Sequence, residues 1–476
     1  MNQPVGVRRG AGVQRPFAAR VRRLLSAVVG DRLAGAVTVG LGFAIRHWIL
    51  TGLVLVVAVL VWVPPTRVAA VVLVVAGGAG FGTWRVRWPS SFACVVVWRV
   101  RGMWRASRVY RARWRLAMLA GGLSVQDHRV RHEPRLVWVR STDCVDRMRV
   151  RMLPGQTVGR WSQAAAGLAQ TFGVRECRVR AVPGRPHHLV LWMLVRDPLA
   201  QEVAPFTAEH PVDLTALPVA LGEDGTAFRL RLLGSHLLVV GATGSGKGSV
   251  IWSVLAALGP LIGSGSVQVV ALDPKGGVEL ALGSRLFSRF VYGSGSGFEA
   301  QCADALEDQV VVVRRRQALL HGVGRVHTPS AAEPLIVVVV DELASLTAQV
   351  TDREVGRRIA AALALLLSQG RAVGVTVIGS VQHLNKDVVD LRDLFGTRIG
   401  LRLNHAAQVA LVFGPGAREL GARADEIPEN LPGVGYVSIE GVREPVRVRF
   451  THLTDTHLTA LADRYAPDDG RAEWCR

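Results

Sequence analysis

The chain has 476 residues, enough for two or three domains, with 57 basic and 37 acidic residues and a formal charge of +20. Its first 160 residues hold 26 arginines against five acids, whereas the remaining 316 are close to neutral, so the basicity belongs to one region and the chain is not a polycation throughout. The five cysteines are scattered, with no pair at metal-ligand spacing and nothing to suggest a disulfide framework, which fits a reducing compartment. Only three lysines occur, Lys247, Lys275 and Lys386, against 54 arginines, so a retained lysine is more informative than one more arginine.

Residues 1–46 read as a basic segment with eight arginines. Two apolar runs follow, residues 48–63 (WILTGLVLVVAVLVWV) and 68–84, joined by Pro64-Pro65-Thr66-Arg67. Each is slightly shorter than the ~20 residues of a bilayer span. The pattern predicts a transmembrane helical hairpin over 47–84, with a buried soluble helix pair as the competing structure. The turn has one arginine, whereas Arg85, Arg87, Arg99 and Arg101 follow the hairpin. The positive-inside rule then predicts a multi-pass protein of the cytoplasmic membrane, with both flanks and everything downstream in the cytoplasm. Residues 85–135 read as a basic juxtamembrane segment. In 99–115 (RVRGMWRASRVYRARWR) arginines alternate with Trp and Tyr, which suits a membrane surface or a phosphate backbone.

Residues 136–216 are expected to form a small α+β subdomain and a linker. Strands are predicted over 136–139, 147–152, 176–181 and 187–195, a helix over 157–172, and a proline-containing linker over 197–216. From 217 to 450, short apolar runs alternate with helices. The expected strands are 237–240, 267–272, 335–340, 375–379, 398–403 and 434–439. Runs of this kind predict an α/β domain with a mostly parallel sheet covered on both faces. Residues 451–476 read as a short tail.

The chemistry is concentrated in 217–450. Gly241, Ala242, Thr243, Gly244, Ser245, Gly246, Lys247, Gly248 and Ser249 follow an apolar strand and open a helix, the context of a phosphate-binding P-loop. Glycines let successive N–H groups curl around phosphates, and the helix N-terminus favours negative charge. Lys247 is expected to reach the β- and γ-phosphates of ATP. The usual Ser or Thr after the lysine, whose hydroxyl binds Mg²⁺, is Gly248 here; the nearest hydroxyl is Ser249. A second buried strand, 335–340, ends in Asp341-Glu342. Asp341 is expected to hold Mg²⁺, directly or through water, and Glu342 to polarise the attacking water. Gln382, at the end of a third apolar strand, either senses the γ-phosphate and positions water or serves as a turn residue. Arg371 precedes that strand and is either an arginine finger for a neighbouring subunit or a solvated arginine. Lys275 lies in Asp273-Pro-Lys-Gly-Gly277, near the nucleotide or orienting its loop. The run Arg314-Arg315-Arg316 reads as a solvated helix face or a DNA contact.

The succession GATGSGKGS, DPKGG, VVVVDELA, GRAVGVTVIGSVQ and Thr397-Arg-Ile-Gly-Leu-Arg402 resembles the FtsK/SpoIIIE family of DNA translocases over residues 217–450. The resemblance implies a RecA-like ATPase that uses ATP and Mg²⁺, assembles as a homohexamer and pumps double-stranded DNA through the ring. It places Lys247, Asp341 and Glu342 at the family's nucleotide positions, Arg371 at its trans-acting arginine and Gln382 at its polar residue after the strand. A two-span chain with one motor and a short tail is most similar to the FtsK-type transfer (Tra) proteins of conjugative plasmids and integrative elements in filamentous bacteria. The expected function is therefore a membrane-anchored, ATP-driven translocase of double-stranded DNA in conjugation. Chromosome segregation at division, a single-motor secretion ATPase acting on proteins, and a non-hydrolysing DNA tether are the alternatives.

Overall fold

The computed structural model describes residues 67–127, 130–382, 384 and 386–467. The segment 1–46 and the first expected span, 48–63, lie outside these residues. The chain divides into two compact units, 1–97 and 98–476.

In the first unit, the second apolar run forms helix α1 (Arg67–Arg87), which ends on Arg85 and Arg87, where cations complement the helix dipole. A short helix α2 (Pro89–Phe92) and a π-helical stretch (Ala93–Val97) follow. Phe81, Trp84 and Phe92 pack edge to face, with Phe92 4.8 and 5.4 Å from the other two rings. Val68, Val72 and Val75 are exposed. Among the described residues, no helix is long and apolar enough to cross a membrane.

The second unit begins with α3 (Trp98–Arg105), a π-helical turn (Ala106–Arg111) and α4 (Ala112–Ala120). This is the segment whose Arg/aromatic alternation suggested an interface. Its aromatics divide. Tyr110 and Trp114 are buried and pack on Phe172, at ring distances of 5.2 and 6.2 Å. Trp104 is exposed. Trp114 Nε1 donates to Pro134 O at 2.8 Å, and the Tyr110 hydroxyl and Arg105 Nε both donate to the fully buried Asp146 carboxylate. The helices therefore help build the small module's core.

That module continues with a hairpin of β1 (Val125–Asp127) and β2 (Val130–His132), then β3 (Arg135–Ser141), β4 (Val145–Arg151), β5 (Glu176–Ala181) and β6 (His188–Leu194). Strands β3 to β6 form an antiparallel sheet in the order β3-β4-β6-β5. The helix expected over 157–172 is two helices, α5 (Val158–Gln163) and α6 (Ala165–Phe172), broken at Ala164. The break lets Trp161 and Phe172 both enter the core with Met148, Leu191 and Met193.

The larger part holds a ten-stranded sheet. Its strands are β7 (Leu217–Gly222), β8 (Ala227–Leu230), β9 (Leu237–Val240), β10 (Val267–Asp273), β11 (Arg289–Tyr292), β12 (Leu335–Val340), β13 (Val375–Val381), β14 (Thr397–Gly400), β15 (Val434–Ile439) and β16 (Val446–Phe450). The order is β11-β10-β12-β13-β9-β14-β15-β16-β7-β8. Strands from β11 to β14 in that order are parallel, and the rest are antiparallel. The parallel half is the expected fold; the antiparallel extension makes the sheet mixed.

Helices α7 (Lys247–Gly263), α8 (Ser296–Leu320), α9 (Leu343–Thr347), α10 (Arg353–Gln369), α11 (Lys386–Leu391), α12 (Ala406–Phe413) and α13 (Asp455–Tyr465) complete the domain. Successive strand residues alternate between two cores. Leu237 and Val239 pack with Val254 and Leu258 of α7, while Leu238 and Val240 pack with Leu306 and Val313 of α8 and Leu363 and Leu366 of α10. Burial on both faces is why these strands are uninterrupted apolar runs. Each such side chain contributes roughly 1.5–3 kcal/mol when fully buried. The tail helix α13 folds onto α7: Tyr465 Cδ2 lies 2.5 Å from where a Cβ at Gly259 would stand, so that close approach requires glycine.

The two sheets meet through ions. Arg178 pairs with Glu223 at 2.7 Å, Arg147 with Asp224 at 3.1 Å, and Arg180 with Glu444 at 3.0 Å. Trp192 lies between the Arg147 and Arg180 guanidinium groups, 4.1 and 3.9 Å from its ring.

Candidate nucleotide site

Parallel pairing brings the ends of β9, β10, β12, β13 and β14 to one edge of the sheet. Val240 is level with Val381 and Gly400, and Val340 with Leu272 and Gly379. Ligands bind at this carboxyl edge in open α/β sheets.

The loop after β9 turns through Gly244 and Gly246, both in the left-handed region with φ of 71° and 92°. A Cβ at Gly241 would lie 2.9 Å from Leu401 Cβ, and one at Gly246 2.9 Å from Gly433 Cα, so neither position admits a side chain. Among the described residues, the Thr243, Gly244 and Gly246 amides make no backbone hydrogen bond. Together with the orphan N–H groups opening α7, they form a nest of unsatisfied donors suited to phosphate. Lys247 Nζ folds over this nest and donates to Gly241 O at 2.9 Å and Ala242 O at 3.3 Å. Burial lowers its pKa, and Lys275 adds repulsion. Ser245 is buried, and among the described residues its hydroxyl has no hydrogen-bond partner.

Asp341 and Glu342 leave the fully buried β12 and are themselves 3% and 6% exposed, which shields both from bulk water. Lys275 Nζ bridges them, 3.4 Å from Asp341 Oδ2 and 3.3 Å from Glu342 Oε2. The contact to Asp341 is an ion pair, and among the described residues Oδ2 has no well-aligned hydrogen-bond donor. Burial raises the Asp341 carboxyl to about 6; Lys275 opposes the shift, while Asp273 and Glu279 reinforce it. Burial works against the Lys275 ammonium, yet the same two carboxylates hold its pKa above the ordinary range. Asp273 is fully buried. Its Oδ1 accepts from Lys275 N at 2.9 Å, and among the described residues its Oδ2 is unpartnered.

Gln382 ties these parts together. Its Oε1 accepts from Thr243 Oγ1 at 3.3 Å, and its backbone N donates to Glu342 Oε1 at 3.3 Å. One residue therefore spans from the phosphate loop to the second carboxylate. Arg402 secures the loop's tip by donating to Thr243 O at 2.9 Å while pairing with Glu429 at 3.2 Å.

Lys247, Asp341, Glu342 and Gln382 thus converge. Arg371 does not join them. It precedes β13, at the opposite edge of the sheet, where it pairs with Glu440 at 2.7 Å. The intervening strand has seven residues. At ~3.3 Å per residue this places Arg371 about 20 Å from its own phosphate loop. Ser249, the expected substitute for the missing hydroxyl, has its Cβ 3.9 Å from where a Gly433 Cβ would be, beside the start of β15. Gly248 instead faces Glu279.

Sequence reasoning left four participants unassigned or open: Asp273, Lys275, Glu279 and Arg402. Lys275 carried a signal in the scarcity of lysine. Arg402 stood at the end of a motif without a role. Asp273 and Glu279 had no signal beyond their flanking glycines. The triplet Arg314 to Arg316 is not uniformly solvated: Arg316 is 2% exposed and donates to Val373 O, Gly374 O and Pro334 O.

The chain is also similar to known proteins. A family model described as FtsK/SpoIIIE matches residues 195–423. The chain is 24% identical over 358 residues to a DNA translocase FtsK of Streptococcus pyogenes serotype M3, covering 69% of this chain and 42% of that protein. It is 26% identical over 329 residues to a DNA translocase FtsK of Bacillus cereus, covering 62% and 38%. The chain thus spans about two fifths of the length of such curated relatives. Among solved structures, it is similar to the monomer form of the pCW3 conjugation coupling protein TcpA with ATPγS, at 17% identity, TM-score 0.48, and coverage of 74% of this chain and 98% of that one. It is also similar to the cytoplasmic domain of the Type VII secretion ATPase EccC of Thermomonospora curvata, at 22% identity, TM-score 0.43, and coverage of 54% and 31%. The phosphate loop, the paired carboxylates and the sheet edge that joins them therefore lie in an FtsK/SpoIIIE family domain carried by this chain over residues 195–423.

Proposed function

We propose that the chain is a membrane-anchored motor that hydrolyses ATP to move double-stranded DNA, acting in the conjugative transfer of a plasmid or integrative element. The observation that carries this reading is the convergence of Lys247, Asp341, Glu342 and Gln382 on one sheet edge with Arg371 at the other. In it the loop amides and Lys247 bind the triphosphate, and Glu342 accepts the proton of the attacking water. Gln382 links nucleotide state to that carboxylate. Mg²⁺ would neutralise phosphate charge, and Asp341 fits it: a buried carboxylate whose Oδ2 lacks a hydrogen-bond donor. Among the described residues, no three His, Cys, Asp or Glu side chains converge to hold an ion by themselves, so phosphates and water must complete its shell.

Arg371 is out of reach of its own loop but sits on a free edge, where it would serve a neighbour in a homohexameric ring. Mixing Arg371→Ala with Lys247→Ala chains should restore part of the lost hydrolysis, because each variant supplies the part the other lacks. No rescue at any mixing ratio would remove the trans role.

DNA as substrate is supported by the names of the curated relatives, both DNA translocases. Membrane anchoring rests on the paired apolar runs and on the exposed valines of α1. The conjugative role rests on the sequence resemblance. The chain should remain in the membrane pellet after an alkaline wash, and ATP hydrolysis by the solubilised protein should rise several-fold with long duplex DNA. Hydrolysis indifferent to DNA but stimulated by polypeptide would select the secretion reading, and release by the wash would remove the anchor.

A further inference from the structure

Gly248 is the second residue of α7, where P-loops normally present a metal-binding hydroxyl. A side chain there would press on a carboxylate from elsewhere in the chain. A Cβ at this position would lie 3.0 Å from Glu279 Oε2. The carboxylate thus fills the space that a serine or threonine side chain would take.

Glu279 arrives from a different part of the chain. It follows β10 in Asp273-Pro-Lys-Gly-Gly277-Val-Glu279, and the turn passes through Gly276 and Gly277, both in the left-handed region with φ of 78° and 84°. Ala281 N donates to Gly277 O at 2.8 Å and sets the path of the following turn. Among the described residues, Glu279 makes no hydrogen bond and no ion pair, and α7 has no side-chain cap. Its charge is nonetheless felt at Lys247 and at Asp341, whose pKa values it raises. Among the described residues, the buried oxygens Asp341 Oδ2 and Asp273 Oδ2 also lack hydrogen-bond donors.

A free carboxylate beside a phosphate loop would repel a triphosphate unless a cation stands between them. Carboxylate, phosphate and water are the ligands that a small, hard divalent cation prefers. Ser249 is not placed for this task. Residues adjacent on a helix point about 100° apart, and its Cβ lies beside Gly433. We propose that Glu279 is the residue that anchors Mg²⁺ beside the phosphate loop, in the place vacated by the hydroxyl missing at Gly248. The assignment rests on reading the loop as an ATP site. It makes the glycine and the glutamate one functional unit: the carboxylate needs the space that the glycine provides.

The test is a binding measurement on the whole 476-residue chain with ATPγS. Mn²⁺ stands in for Mg²⁺ and is followed by electron paramagnetic resonance, and nucleotide affinity is measured separately in EDTA. Glu279→Gln should weaken Mn²⁺ binding in the ternary complex by about tenfold or more. It should leave nucleotide affinity in EDTA unchanged or tighter, because a repelling charge is gone. Gly248→Ser alone should also weaken Mn²⁺, since its side chain displaces the carboxylate. Combining the two should restore Mn²⁺ binding, since a hydroxyl then occupies the vacated place. Ser249→Ala should bind Mn²⁺ like the wild type. If Glu279→Gln loses nucleotide binding in EDTA, that variant has damaged the loop, and the double variant decides: restored Mn²⁺ binding supports the assignment and its absence overturns it. Wild-type Mn²⁺ affinity in Glu279→Gln, or loss in Ser249→Ala instead, overturns the role of Glu279 while leaving the ATP site standing. No ATPγS binding by the unaltered chain would overturn the ATP site itself.

Discussion

Lys247→Ala should abolish nucleotide binding at working concentrations, raising the apparent Kd for ATP by about 100-fold or more. That corresponds to at least ~3 kcal/mol, within the range for truncating one partner of a desolvated charge pair. The fold should survive. Alanine favours helix over every other residue, and among the described residues the lysine's ammonium donates only to the Gly241 and Ala242 carbonyls of its own loop. Fluorescence titration with a labelled ATP analogue, beside far-ultraviolet circular dichroism, separates loss of binding from loss of fold. Wild-type affinity in a folded variant would remove the phosphate-loop assignment and everything built on it.

Glu342→Gln should do the opposite: bind ATP with near-normal affinity and fail to turn it over. The amide is close in shape and can still accept the Gln382 backbone N–H, which reaches Glu342 Oε1 at 3.3 Å. It cannot take a proton from water. General-base catalysis contributes typically 10²–10⁴-fold, and kcat should fall by about that factor. The substitution also leaves Lys275 with Asp341 as its one carboxylate partner in the pair, so that ion pair should tighten while Glu342's is lost. Single-turnover hydrolysis with enzyme in excess isolates the chemical step from product release. A rate within about threefold of wild type would place the base elsewhere.

How much of this was legible in the sequence depends on whether the physics was local. The strands Leu237–Val240 and Leu335–Val340 were readable to the residue, because burial on both faces leaves an uninterrupted apolar run. The short strands Ala227–Leu230, Arg289–Tyr292 and Val446–Phe450 were missed. Each carries arginine within four or five residues and sits toward an edge or in the antiparallel extension, where one face is open. The basic aromatic segment around Tyr110 and Trp114 misled for a related reason: Arg/aromatic alternation looks the same whether the rings face lipid or Phe172. Within the site, Lys247, Asp341 and Glu342 announced themselves by standing at strand ends with local signatures. Asp273, Glu279 and Arg402 did not, because the parallel register alone sets them beside residues far away in the chain. No spacing rule connects Gly248 to Glu279; the fold alone brings the carboxylate to where a side chain on the glycine would stand.

Lys275 has a consequence of its own. Its ammonium rests between Asp341 and Glu342, at 3.4 and 3.3 Å. The two buried acids therefore have a counterion built into the chain itself. On the proposed reading, arrival of a metal-bound nucleotide would be an ion exchange, in which a tethered cation yields its place between the two carboxylates to a soluble one.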